Sequence, residues 1–228
     1  MGLGKSAGKS AVSAAAAVAA PALASGYIRS ILERAIDGFG PLRPAAQTAN
    51  AHLVKNNGDV EAAVKSLIRF HVTLAGAEGF VTNLGGLMVA PVALPANVAA
   101  LTLIKCHLVS AIAHLRGYDL EDSRVRNAVL VSMMGRDTVN TMVKNKRLPS
   151  APMAIATAPA ADPALDAQVS KEVTTELLGS IVGRRIVTLV GRRVPVLGGA
   201  IGGVGDGLST YLVAKYASEE LRDRRLHS

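Results

Sequence analysis

The chain has no tryptophan, and only four tyrosines and three phenylalanines among its 228 residues. So thin an aromatic content argues against a β-sandwich or barrel, which would draw on aromatics and threonine. It also withholds the aromatic belt of an ordinary polytopic membrane protein. A single cysteine, Cys106, excludes an intrachain disulfide and any multi-cysteine metal site. It lies in an apolar run, which marks it as a small hydrophobe rather than a nucleophile. Acidic residues are scarce as well: 17 stand against 25 lysines and arginines, for a formal charge of +8. That excess suits an anionic surface, either nucleic acid or the cytoplasmic leaflet of a membrane, with a solvated basic face as the plain alternative. Nucleic acid has only the charge behind it, because no aromatic is interleaved with the arginines to stack a base. No catalytic, metal-binding or cofactor motif is legible, so a non-catalytic protein is expected.

What is present is apolar and small. Half the residues are hydrophobic, supplied by Ala, Val and Leu, with 22 glycines beside them. This composition predicts helices packed closely through small side chains. The expected fold is all-α: one bundle-like domain over 27–228, after an Ala-rich low-complexity tail at 1–26. That tail imitates three signals. Gly8-Lys9-Ser10 looks like the end of a phosphate loop, but Leu3 stands where the first glycine belongs and no strand precedes it. Met1-Gly2 with Ser6 fits the short myristoylation string. Lys5 and Lys9 before an alanine run ending at Ala22-Leu23-Ala24 resemble a secretory signal, although the run lacks the Leu and Phe of an ordinary h-region.

Periodicity predicts a helix over 27–38, with Ile28, Ile31, Leu32 and Ala35 on one face. A short helix over Ala45–Lys55 follows the breaks at Pro41 and Pro44. Asp59 caps the next, whose apolar face carries Val60, Ala63, Val64, Leu67, Ile68, His71 and Leu74. His71 reads as a core histidine rather than a ligand. Pro95 opens a helix running to about Arg116. His107 and His114 share a face there but stand two turns apart, roughly 10 Å, too far for one metal ion. Further helices are expected from Ser123 to about Arg147, from Pro163 to Arg193, and from about Leu208 to Arg222. The stretch 149–163, rich in Pro and Ala, reads as a flexible linker.

Two apolar segments, bent by Gly and Pro, stand out as hairpin-like. The first, Gly79 to Asn97, runs on to Ile104 and has no charge between Glu78 and Lys105. It contains Gly85 and Gly86. The second, Val194 to Gly207, spaces Gly199, Gly203 and Gly207 by four, and Gly198 and Gly202 likewise. On a helix these would form a stripe for close helix contact. Lys105 and Asp206 border or interrupt the segments and would form a buried polar pair if they met. Upstream of the second segment, Arg185 and Arg192 share a helical face, with Arg184 and Arg193 flanking. That makes a basic face suited to a membrane or another anion.

Gly85-Gly86, Pro91, Leu94-Pro95-Ala96, Ile112-Ala113 and Gly117-Tyr118-Asp119, followed by Pro195, Gly198-Gly199-Ala200, Gly202 and Asp206, together resemble the EcsC family of bacterial helical proteins. The resemblance covers about residues 55–225 and departs from the pattern at Asp206, where the family commonly has Asn. The family takes its name from an operon encoding an ABC transporter, so a membrane-protein partner of that kind is what the resemblance implies. The residues themselves leave several readings open. The first is a cytoplasmic protein, peripheral to the membrane, that adsorbs to or shallowly inserts in an anionic surface. The alternatives are a soluble helical module binding protein partners, its own copies included, and an integral protein with re-entrant hairpins.

Overall fold

The computed structural model describes residues 26–40, 42–76, 96–191 and 198–224, with backbone alone for 96–97, 180–191 and 198–204. The described residues form nine helices and no strand, the one β-bridge joining Phe39 to Leu42. The helices are α1 (26–37), α2 (Ala45–Lys55), α3 (Val60–Gly76), α4 (Ala96–Leu115), α5 (Ser123–Met133), α6 (Arg136–Lys144), α7 (Pro152–Ala156), α8 (Pro163–Gly191) and α9 (Gly198–Glu220). The all-α expectation holds.

α4 is the centre of the molecule. α2, α3, α5 and α9 all pack on it. Its stretch Val98–Leu115 is long and apolar enough to cross a membrane, yet 78% of it is buried inside the protein. Ala99, Ala100, Leu103 and Ile104 are core residues. Of the two readings open to the first apolar segment, buried core or membrane contact, its part from Val98 to Ile104 is core, and Gly79 to Pro95 lies outside the described residues. From Val98 onward the lack of charge reflects burial against other helices.

Contacts along the helices fix their directions. Glu61 and His71 of α3 touch Arg116 and His107 respectively, so α3 and α4 are antiparallel. Arg116 also donates to the Ser218 and Leu221 carbonyls at the end of α9. A Cβ on Gly207 would lie 3.5 Å from the Val72 carbonyl oxygen. Hence α9 runs antiparallel to α3 and parallel to α4. The C-terminal end of α3, the N-terminal end of α4 and the N-terminal half of α9 all lie at one end of this three-helix unit.

Local chemistry explains the helix boundaries. Asp59 accepts from the Ala62 N–H at 2.9 Å, Asp122 from Arg124 at 2.9 Å and Asp162 from Ala164 at 2.9 Å, each satisfying an otherwise unpaired first-turn donor. At the end of α1, Gly38 has φ +90°, and a Cβ there would stand 2.7 Å from both the Leu42 oxygen and the Pro44 nitrogen. Only glycine lets the chain fold back over the helix end so tightly.

Two expectations fail. The helix from Ser123 does not run unbroken to Arg147. It breaks at Met134, and Gly135 at φ +82° starts α6 in a new direction. The stretch 149–163 is not simply a linker either. Pro152, Ile155 and Ala156 are buried, and α7 packs on α5. Proline there serves as the first residue of a helix, where its missing N–H costs nothing.

A polar hub fastens α1. The Arg29 guanidinium donates to Ser170 Oγ at 2.6 Å, to Asn127 Oδ1 at 2.5 Å and to the Asp166 carbonyl at 2.7 Å. Asn127 in turn donates to the Asp166 carboxylate at 2.5 Å. Helices far apart in sequence are thereby locked in register.

Candidate functional site

α9 carries the most exposed apolar surface of the three-helix unit. Leu208, Tyr211 and Leu212 are 57%, 46% and 55% exposed. Their spacing of three and four puts them on one helical face, and they form a ridge between two grooves. One groove, of about 500 Å³, lies between α3 and α9, with Ile68, Val72 and Tyr211 in its lining. The other, of about 540 Å³, lies between α9, Lys105 of α4 and the α5–α6 break, where Met133, Met134 and Leu212 supply apolar walls.

The rim of these grooves is basic. Arg116 pairs with Glu61, and Arg136 pairs with Glu219. The lining also includes Lys65, Arg69 and Lys215 against Asp137, with Lys105 beside them. The Arg136 guanidinium also sits 4.9 Å over the Tyr216 ring. Burial, helped by the nearby Glu220 charge, raises the Tyr216 phenol above its ordinary range. The ridge was not singled out in the sequence, because α9 was read only as a terminal helix. Its signal was the i, i+3, i+4 spacing of Leu208, Tyr211 and Leu212.

The residues expected to matter fall in several places. Lys105 and Asp206 are both half-buried rather than core residues, and Lys105 lines the larger of the two grooves. The dry setting of a buried pair is absent at both. Gly207 faces α3 as a contact glycine should, but a methyl there would meet Val72 Cγ1 at 3.6 Å, an ordinary contact. Gly198, Gly199, Gly202 and Gly203 belong to the opening turns of α9, which settles the second glycine segment as helix from Gly198 onward. Arg184 and Arg185 lie on the backbone of α8. Their side chains, and Arg192, Arg193, Gly85 and Gly86, lie outside the described residues.

The histidines are arranged as their positions along single helices could not reveal. His71 is buried, as expected, and pairs with His107 across α3 and α4 at 2.7 Å. His114 is turned instead towards Asn50, at 3.2 Å. No cluster of three or more His, Cys, Asp or Glu able to hold a metal occurs among the described residues. Cys106 is fully buried with its sulfur 3.4 Å from that of Met133, and burial pushes its thiol up to about 12. A thiol so placed is not a nucleophile. Compared with family models, with curated proteins and with solved structures, the chain matches none.

Proposed function

We propose that this is a non-catalytic, cytoplasmic protein that adsorbs peripherally to anionic membrane surfaces through the end of the α3–α4–α9 unit and the adjoining α9 ridge. One observation carries the reading. The antiparallel register of α3 and α4 brings Gly76 and Ala96 to the same end, where the N-terminal half of α9 also lies. The chain therefore departs into 77–95 and returns from it on one side of the molecule. The sequence between those ends carries no charge from 79 to 95 and, at seventeen residues, is shorter than the about 20 apolar residues of a span.

The α9 ridge extends this apolar end, and the lysines and arginine on its rim complement anionic headgroups. Moving three half-exposed apolar side chains out of water contributes about 1 kcal/mol each. Each basic residue near an anionic surface adds about 1 kcal/mol. The sum supports reversible adsorption. It does not approach the grip of a spanning helix. The EcsC resemblance adds a membrane-protein partner, such as a transporter, as a second occupant of the same surface.

The test is co-flotation of the purified chain with anionic and with neutral vesicles, at low and high salt. Binding to anionic vesicles that weakens with salt is expected. In that assay Leu208→Ser with Leu212→Ser should weaken binding roughly thirtyfold, the equivalent of the ~2 kcal/mol assigned to the two leucines. Absence of flotation under all conditions would refute adsorption and leave a soluble module whose α9 grooves bind protein.

A further inference from the structure

The His71–His107 contact belongs to a chain of three short hydrogen bonds. His71 Nδ1 is 2.8 Å from the Leu67 carbonyl oxygen. His71 Nε2 is 2.7 Å from His107 Nδ1. His107 Nε2 is 2.8 Å from the Arg43 carbonyl oxygen. A carbonyl can only accept, so the nitrogen facing each carbonyl must carry a proton. Turning either ring over would put carbon at these positions, and 2.7–2.8 Å is far too short for a C–H contact, which needs about 3.3–3.6 Å. The tautomers are thus dictated by their partners. A neutral His71 has its one proton on Nδ1, and a neutral His107 has its one proton on Nε2. Two bare nitrogens would then face each other at 2.7 Å, lone pair against lone pair. Three donor hydrogens are needed, and two neutral imidazoles supply two.

We infer that His71 and His107 form a buried binding site for one proton, held between His71 Nε2 and His107 Nδ1, and that its loss breaks the contact between α4 and the connection from α1 to α2. The proposal does not depend on membrane adsorption.

The surroundings set how tightly the proton is held. From α2, His52 comes close enough to act on His71, and it carries Lys55 beside it. The Phe70 ring packs edge-on against His71 with centroids 5.0 Å apart. On the connection, the Arg43 side chain is exposed and only its carbonyl faces the pair. Lys65 and Arg69 of α3 are exposed, and Lys105 of α4 is half-buried. Burial pushes His71 down to about 3 and lowers His107 as well. Against burial stands a hydrogen bond that only the first proton can complete, with two carbonyl dipoles directed at the charged rings. If the pair keeps one proton, that bond and the two dipoles outweigh burial for the first proton, while burial and ring–ring repulsion push the second far below the ordinary imidazole range.

Deprotonation has a defined consequence. A neutral pair can keep the bond between the rings only if one ring turns its proton inward: His107 to Nδ1, leaving a bare Nε2 against the Arg43 carbonyl, or His71 to Nε2, leaving a bare Nδ1 against the Leu67 carbonyl within its own helix. Leu67 and both histidines sit on helices. Arg43 sits on the short connection closed by Gly38, so that end gives way.

The experiment uses the full chain with 15N-labelled histidine, followed by imidazole NMR from pH 4.5 to 9, together with denaturant unfolding over the same range. The expected result is one retained proton on the pair at pH 6.5 and above. The sign follows: the unfolded chain binds two protons at these histidines below ~6.5 and none above, whereas the folded pair holds one, so stability peaks near pH 6.5 and is lost above it as pH rises towards the pair's own value. Within that window the folding constant falls by up to tenfold per pH unit for the single proton. His107→Gln offers two N–H bonds without taking up a proton and should remove this slope, whereas His52→Gln should keep it. Two neutral rings at pH 6, or stability that does not fall as pH rises above 6.5, would overturn the proposal. If His107→Gln does not fold, the protonation state read in the unmodified chain decides alone.

Discussion

Arg116 ties together the far end of the three-helix unit, and its removal should be among the costliest single changes on the surface of the core. Its side chain is 8% exposed. It donates to the Ser218 carbonyl at 2.5 Å and the Leu221 carbonyl at 3.0 Å, two acceptors at the end of α9 that no intrahelical partner would satisfy. It also bonds Glu61 at 2.6 Å, but that carboxylate is 63% exposed. Arg116→Met keeps most of the stem and deletes the guanidinium. Two charge-assisted bonds contribute about 1.5–3 kcal/mol each. Against them stands the relief of burying a guanidinium whose Nε has no partner among the described residues, of about 1–3 kcal/mol. A net loss of about 2–3 kcal/mol results. Glu61→Gln removes only an exposed ion pair and should cost less than about 1 kcal/mol. Urea unfolding of the two variants checks the reasoning. If Glu61→Gln matched Arg116→Met, or if Arg116→Met cost under about 1 kcal/mol, the account of α9's end as anchored by Arg116 would be refuted.

Gly207→Ala should stabilise by up to about 1 kcal/mol in thermal or urea unfolding, because a helix-interior glycine is replaced where the new methyl meets Val72 at ordinary contact distance. Gly38→Ala should destabilise by more than about 1–3 kcal/mol, since its φ of +90° and the 2.7 Å approach of the Leu42 oxygen leave no room for a side chain. Asp122→Ala should cost about 1 kcal/mol through loss of the bond to the Arg124 N–H that caps α5. Cys106 should resist alkylation at pH 8 in the native state and react on unfolding, because burial raises the thiol to about 12 and shields it.

Local signals carried much of the fold. Ile28, Ile31, Leu32 and Ala35 are all buried, as their spacing predicts, and α2 spans Ala45–Lys55 as expected. Asp59 and Asp162 cap the helices they precede. Other features depend on partners distant in sequence. The break at Met134–Gly135 has one glycine as its only mark, and glycine inside a helical pattern is often tolerated. Composition made 149–163 look like a linker because proline and alanine say nothing about whether α5 offers a face to pack on. The same ambiguity applied to Val98–Ile104, since burial in protein and contact with lipid select the same side chains. For the candidate site, the basic excess was legible as a net charge, but the α9 ridge was hidden by the reading of α9 as a terminal helix. His71 and His107 are 36 residues apart, and no spacing within either helix points to the other.

The Arg29 hub also sets the order in which the protein can be completed during synthesis. Ser170, the most distant of its partners, lies 141 residues downstream. At about 5–20 residues per second, a ribosome needs roughly 7 to 28 s to supply it. Until then the hub is incomplete: Asn127 lies 98 residues downstream and Asp166 lies 137, so Arg29 gains its acceptors one after another. The first of the described helices to be made is therefore among the last to be fully fastened, and slowing translation lengthens that interval in direct proportion.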